Sequence, residues 1–128
     1  MKFVFVTGSR RDDYSRGALF ALMETHPDAV YVHGDCPSGL DGEVSAVCAS
    51  SGPGSEIPMP ARWEMHGKSA GPIRNGHMVR LALALQGCGH IVEWHAFPGP
   101  SSRGTWDCVN QARMAGFDVE VHRVKQNR

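Results

Sequence analysis

Short runs of β-branched and aromatic residues alternate along the whole chain with segments whose apolar residues have helical spacing. The runs predict strands over residues 2–6, 29–33, 55–59, 89–97 and 118–122. The segments between them predict helices over 15–25, 41–50, 72–87 and 105–115. A strand, a crossover helix and a second strand form a right-handed unit with parallel strands. The alternation therefore predicts a single small Rossmann-like α/β domain, with a parallel sheet of about five strands and helices on both faces.

The length and the two ends of the chain suit one domain. A chain of 128 residues is long enough for one compact core. We assign residues 1–124 to the domain and the polar residues 125–128 to a tail. The apolar run near the N-terminus is too short for a signal peptide, and no apolar run reaches the length of a membrane span. We therefore expect a cytoplasmic protein with no membrane partner.

Charge and the spacing of metal-ligand residue types narrow the function classes. Lysine and arginine together number 13, as do aspartate and glutamate, so no overall field attracts nucleic acid, and an anion must be held locally. The four cysteines form no CxxC pair, and the seven histidines show no HxxxH or HExxH spacing. The closest histidine pair, His90 and His95, is predicted on opposite sides of one strand. We expect reduced thiols, no metal site and no cofactor.

The loops that follow the predicted strands hold the candidate binding residues. In a doubly wound sheet, ligands bind beyond the carboxyl ends of the strands, where the strand order reverses. If that order is 3-2-1-4-5, the loops after the first and fourth strands face each other, and Arg10 should face the loop at 98–105. The candidate ligand-binding residues are Gly8, Ser9, Arg10, Gly34, Asp35, Asp41, Lys68, Asn75, Pro98, Gly99, Ser101, Ser102, Arg103, Gly104 and Thr105.

The loop after the fourth predicted strand, AFPGPSSRGTWDCV at 96–109, has the composition of an anion site. Gly104 and Thr105 are predicted to open a helix, and a helix N-terminus presents unpaired N–H groups with a partial positive charge. Thr105 adds a hydroxyl donor, and the neighbouring serines and arginine are available from the side. The alternative is an ordinary strand-to-helix turn that is capped by the threonine.

Four motifs, in order along the chain, resemble the SLOG superfamily of Rossmann-like domains. They are VTGSR at 6–10, HGDCPSGLDGEVSAV at 33–47, GKSAGPIRNGHMV at 67–79 and FPGPSSRGTWDCV at 97–109. The superfamily includes the Lonely Guy (LOG) phosphoribohydrolases and the DNA-processing protein DprA. The AGPxRN and GTxD stretches are most similar to its YspA-like branch, domain of unknown function 2493. The resemblance spans nearly the whole chain and implies a pocket for a nucleotide or nucleotide-derived molecule.

The resemblance also implies where chemistry would occur. LOG enzymes carry a PGGxGTxxE loop, whose glutamate works with an upstream arginine to hydrolyse the N-glycosidic bond between a base and ribose 5-phosphate. Here the loop is two residues longer and lacks the glutamate, so that Asp107 is the only nearby carboxylate. Asp107 and Arg74 are the candidate catalytic residues. We expect either a phosphoribohydrolase-like hydrolase or a non-catalytic nucleotide sensor or sequestering protein.

Two further partners follow from the resemblance. DprA-like binding of single-stranded DNA is a third reading, which the zero net charge and the lack of a basic stripe oppose. Relatives commonly form dimers, so the resemblance implies a homodimer or higher homo-oligomer. The apolar stripe at 73–85 supplies either such an interface or part of the core.

Several candidates have a structural alternative. Asp107 is predicted in the first turn of a helix, where the helix dipole favours a carboxylate whatever the function. Arg74 is predicted in another first turn, where a cation needs a negative partner such as a ligand. Asp41 suits both an N-cap and a ligand contact. Trp63 and Trp106 are either core or lid residues, or platforms on which a base stacks.

Overall fold

The computed structural model describes residues 1–51 and 55–124, and it confirms the predicted fold class. The strands are β1 (Lys2–Gly8), β2 (Val30–His33), β3 (Ser55–Pro58), β4 (Ile91–Phe97) and β5 (Val119–Val121). They form one parallel sheet in the order β3-β2-β1-β4-β5, which is the order considered in the sequence analysis. The tail predicted at 125–128 lies outside the described residues.

Helices cover both faces of this sheet. They are α1 (Arg16–Thr25), α2 (Gly39–Ser51), α3 (Trp63–His66), α4 (Ala70–Gly87) and α5 (Arg103–Met114), with a 3-10 turn at Gly67–Ser69. Because side chains alternate along a strand, Val4 and Val6 pack with α1 and α2. Phe5, between them, packs with α4 and α5 on the opposite face. No helix within the described ranges is both long enough and apolar enough to cross a membrane.

The apolar stripe of α4 is part of the core. Met78 and Ala82 are buried against the sheet, and Leu81 and Leu85 pack on the same cluster. The cluster also contains Trp94, which is 2% exposed. Of the two alternatives considered for the stripe, core packing accounts for these four residues.

Three helices, α2, α4 and α5, each begin two residues earlier than the sequence predicts. Helix α4 begins before its predicted start at residue 72, because Ser69 already has αR dihedral angles and the 3-10 turn runs directly into the helix. In α5 the last non-helical residue is Ser102, so the helix begins at Arg103 and not at Thr105. Arg74 and Asp107 are each the fifth residue of their helix. Both therefore lie in the second turn, and their predicted first-turn positions are wrong.

Candidate functional site

A cleft of about 1420 Å³ opens at the carboxyl ends of β1 and β4, where the strand order reverses. It is lined by the loop after β1, the loop after β2, the α3–α4 segment and the loop that leads into α5. All of the predicted site residues line this cleft except Pro98 and Gly99. The fold therefore brings together the four loops that the sequence pattern singled out.

Hydrogen bonds of Ser9 fix the loop after β1. Its backbone N–H donates to Phe97 O at 3.1 Å, and its backbone oxygen accepts from Leu40 N at 3.0 Å. Its hydroxyl donates to Asp13 Oδ1 and accepts from Arg11 N at 3.1 Å. Ser9 is only 7% exposed, and its backbone hydrogen bonds hold the loop between the end of β4 and the start of α2. Asp13, which the sequence reasoning missed, is the residue that orients its hydroxyl.

Arg10 stacks on an aromatic ring at the rim of the cleft. Its guanidinium carbon lies 4.8 Å from the centroid of Trp63. The arginine was expected to face the loop at 98–105, but this ring contact is with the segment that follows β3. Trp63 is 46% exposed and lines the cleft, so it is not a core residue. Trp106 also lines the cleft, but it is partly buried and packs against the main core cluster.

The turn between β2 and α2 forms a tightly packed wall of the cleft. Asp35 and Gly39 both have left-handed φ angles, of 57° and 66°. A Cβ on Gly39 would collide with the backbone of Ser9 and Arg10, so the approach of the two loops requires glycine. The Ser38 hydroxyl donates to Arg10 O at 2.8 Å. The turn thereby fixes the backbone of the loop after β1.

Asp41 is a carboxylate buried in this wall, with 9% of its surface exposed. It is not the N-cap of α2, since the helix begins at Gly39. Its Oδ2 accepts from Cys36 N at 3.3 Å, while Oδ1 is buried and has no hydrogen-bond partner among the described residues. Burial raises the pKa of Asp41, while the neighbouring His33, the hydrogen bond from the backbone of Cys36 and the charge of Arg74 oppose that rise. The cleft wall therefore holds an acceptor that is not satisfied.

His33 belongs to a hydrogen-bond chain beneath the cleft and is fully buried. Its Nδ1 accepts from Asp35 N at 3.0 Å, which assigns the proton to Nε2. Nε2 then donates to Glu56 Oε1 at 3.3 Å, and Glu56 also accepts from Ser45 Oγ at 2.8 Å. These hydrogen bonds and the burial of the ring give His33 a structural role.

Arg74 bridges the ends of two neighbouring strands. Its Nη1 donates to Gly34 O at 2.6 Å, beyond β2, and to Met59 O at 3.3 Å, beyond β3. Its Nε donates to Asn75 Oδ1 at 2.9 Å. The negative partner that a cation near a helix start requires is supplied in part by the protein, through these oxygens and the charge of Asp41. Arg74 therefore faces the cleft from a fixed position.

Asp107 is held by amide groups from two helices. Its Oδ2 accepts from Asn75 Nδ2 at 3.0 Å and from Gln111 Nε2 at 2.8 Å. Asn75, which is 3% exposed, also donates to Gly104 O at 3.3 Å. These bonds join the candidate catalytic residues Arg74 and Asp107 through one buried amide. The carboxylate of Asp107 is therefore oriented while it lines the cleft.

The loop before α5 leaves the start of that helix open towards the cleft. Ser102 Oγ accepts from Gly99 N at 2.8 Å and makes no capping hydrogen bond to the helix. Thr105 is buried in the first turn, two residues after the helix begins, so the threonine cap considered from the sequence is wrong. A Cβ on Gly104 would meet open space, and the φ angle of Gly104 is not in the left-handed region. Neither packing nor backbone geometry requires glycine at this position.

Fold and cleft together define a doubly wound α/β protein with an open cleft at its switch point. No protein-family model matches the chain. The chain is 42% identical over 59 residues to the Gene 61 protein of Mycobacterium phage D29. That match covers 46% of this chain and 41% of the phage protein, which is less than half of either.

Proposed function

We propose that the cleft binds a nucleotide or a nucleotide-derived molecule, with its phosphate at the start of α5. The observation that carries this proposal is the open first turn of α5 at the switch point of the sheet. The first N–H groups of a helix have no intrahelical acceptor and attract anions. Gly104 adds no side chain there, and the fold does not require this glycine. Close approach of a ligand to the backbone would explain why position 104 is a glycine.

The opposite side of the cleft offers groups that suit the rest of a nucleotide. Trp63 presents a half-exposed ring that lines the cleft, and a base stacks on such a ring whatever its identity. Arg10 and Lys68 also line the cleft and add positive charge, which suits an anionic ligand. A ligand that contacts both sides would be anionic at one end and aromatic at the other. A nucleoside monophosphate has this combination.

Hydrolysis of an N-glycosidic bond is the second candidate function, and the geometry of Asp107 favours it. The two amide donors on Oδ2 fix the carboxylate without neutralising it. A fixed carboxylate stabilises the positive charge that develops on the sugar when a glycosidic bond breaks. In a protein that only binds, the same carboxylate would hold a ribose hydroxyl. The two functions therefore use one residue and differ in the product.

Mass spectrometry of the purified chain tests both functions at once. The protein is incubated with a panel of nucleoside monophosphates, cyclic nucleotides and ADP-ribose derivatives, and both retained ligand and released base are recorded. Free base with ribose phosphate would establish hydrolysis, whereas an intact nucleotide that survives desalting would establish binding alone. If no compound in the panel is retained or cleaved, the proposal is wrong.

The Asp107→Asn variant separates the two roles of the carboxylate. Asparagine keeps an oxygen that can accept from Asn75 and Gln111, so the shape of the cleft is preserved. In a hydrolase, this variant loses turnover while its affinity stays within a few-fold. In a binding protein, affinity falls and no product forms with either chain. Asp118→Asn, which changes an exposed carboxyl outside the cleft, is the control and should match the unmodified protein.

A further inference from the structure

A group of potential metal ligands lies on the sheet away from the cleft, where β4 and β5 run side by side. His95 is paired in register with Glu120, and His122 follows the last residue of β5. The N–H of His122 donates to Ala96 O at 2.8 Å, which extends the strand pairing to this residue. Because side chains alternate along a strand, the three side chains project from one face of the sheet. None of the three lines the cleft.

The ligand atoms of these side chains are close together. His95 Nδ1 is 3.0 Å from His122 Nε2 and 3.5 Å from Glu120 Oε2. All three atoms lie within 4.8 Å of one another. Tetrahedral zinc with bonds of about 2.0–2.2 Å holds neighbouring ligand atoms about 3.3–3.6 Å apart. The observed spacing needs only small side-chain adjustments to reach that arrangement, and Glu120, whose side chain is 67% exposed, is free to make them.

Neighbouring groups orient both imidazole rings. His95 Nε2 lies 3.1 Å from Glu93 Oε1, so this nitrogen carries a proton and Nδ1 presents its lone pair to the group. Glu93 is held in turn by Lys2 Nζ at 2.7 Å. A carboxylate on the far nitrogen of a ligating histidine is a common support in metal sites. The His122 ring is stacked on Phe97, with centroids 4.6 Å apart and planes at 12°.

We propose that His95, His122 and Glu120 bind a divalent transition-metal ion, and we use Zn²⁺ as the reference ion. Imidazole and carboxylate donors in this number suit zinc and leave a fourth position for water. His95 is buried and His122 half-buried, so two of the three ligands are in place before the ion arrives. Glu93 is a positioning residue in this site. The sequence analysis expected no metal site because it considered His95 only with His90, on the same strand. The other two ligands come from the neighbouring strand through the pairing of β4 with β5.

The alternative is a histidine pair without a metal, in which His122 Nε2–H donates to His95 Nδ1. Calorimetric titration with Zn²⁺ distinguishes the metal site from the metal-free histidine pair. The titrated protein is the whole chain, without a tag and stripped of metal. The site predicts about one ion per chain, and Co²⁺ in its place should give the visible absorption bands of a low-symmetry site. Absence of binding in both titrations would overturn the proposal.

Variants locate the bound ion. His122→Ala, Glu120→Gln and Glu93→Gln should each weaken Zn²⁺ binding about tenfold or more. His77→Ala removes an exposed histidine on α4 and should leave binding unchanged. Glu120→Gln changes a largely exposed side chain and should fold normally, which guards against loss of binding by unfolding. Equal affinity in Glu120→Gln, His122→Ala and His77→Ala would mean that the ion binds elsewhere, and would overturn the proposal.

Discussion

Asn75 Nδ2 donates to Asp107 Oδ2 at 3.0 Å, and this hydrogen bond joins α4 to α5 directly below the cleft. The same amide accepts from Arg74 Nε at 2.9 Å. One buried side chain therefore sets the positions of the cation and the carboxylate that the sequence predicts as the reactive pair. Side chains held in this way need no reorganisation when a ligand arrives.

Replacing Asn75 by alanine should lower the free energy of unfolding by about 2–4 kcal/mol, because partners in a buried network lose their bonds. Arg74 Nε would lose its acceptor, while Gly104 O and Asp107 Oδ2 would each lose a donor. Urea unfolding measures the change. Asn110→Ala alters an exposed asparagine on α5 and should stay within about 0.5 kcal/mol of the unmodified chain. Equal stabilities would show that the network is not important for folding.

Replacing Trp63 by leucine should weaken nucleotide binding about tenfold, which is the typical contribution of one base stacked on an aromatic ring. Its effect on unfolding should be small, since the ring is 46% exposed. Phe20→Leu is a matched control, because Phe20 is 42% exposed on α1 and does not line the cleft. Affinities for nucleoside monophosphates, measured by calorimetry, check the comparison. If the two variants bind equally well, Trp63 is not the platform for the base.

Asp41 gives the protein a predictable dependence on pH. Burial raises the pKa of Asp41 in the folded state, so the folded chain binds a proton more readily than the unfolded chain. Lowering the pH from neutral towards the ordinary pKa of an aspartate, about 4, should therefore stabilise the unmodified protein relative to Asp41→Asn. Urea unfolding of both chains across this range tests the sign. A difference that stays constant would mean that the pKa has no net shift, and a difference that moves the other way would mean that the groups opposing burial outweigh it. Asp118→Asn, with an exposed carboxyl, is the control.

Sequence patterns were sufficient to predict the architecture and the place of the cleft. Runs such as 2–6 and 29–33 are apolar on both faces, which is typical of central parallel strands. Once the strands are parallel, the polar loops must gather at their carboxyl ends. The residues of the cleft could therefore be predicted from topology, without knowledge of any side-chain contact.

The sequence did not reveal how the site residues contact one another. The partners of Arg74 are backbone oxygens of Gly34 and Met59, which carry no sequence signal. Because α5 begins two residues earlier than predicted, Asp107 lies in its second turn, and Thr105 is its third residue and not its first. The His95 and His122 pair depends on the register of β4 with β5, and local spacing does not encode that register.

Gly104 provides the most direct test of the proposed phosphate site. Gly104 and Gly17 are each the second residue of a helix, each is exposed, and a Cβ on either would meet open space. Only Gly104 lines the cleft. Gly104→Val and Gly17→Val should therefore change the free energy of unfolding by similar amounts. Only Gly104→Val places a side chain at the start of α5, where the phosphate would bind.

The decisive measurement is the affinity of Gly104→Val, Gly17→Val and the unmodified chain for the panel of nucleoside monophosphates, determined by calorimetry under one set of conditions. The account predicts that Gly104→Val binds at least about tenfold more weakly, because charge-assisted hydrogen bonds to the helix start are lost. Gly17→Val should bind as the unmodified chain does. Equal affinities for all three chains, or no binding by the unmodified chain, would contradict a phosphate site at the start of α5.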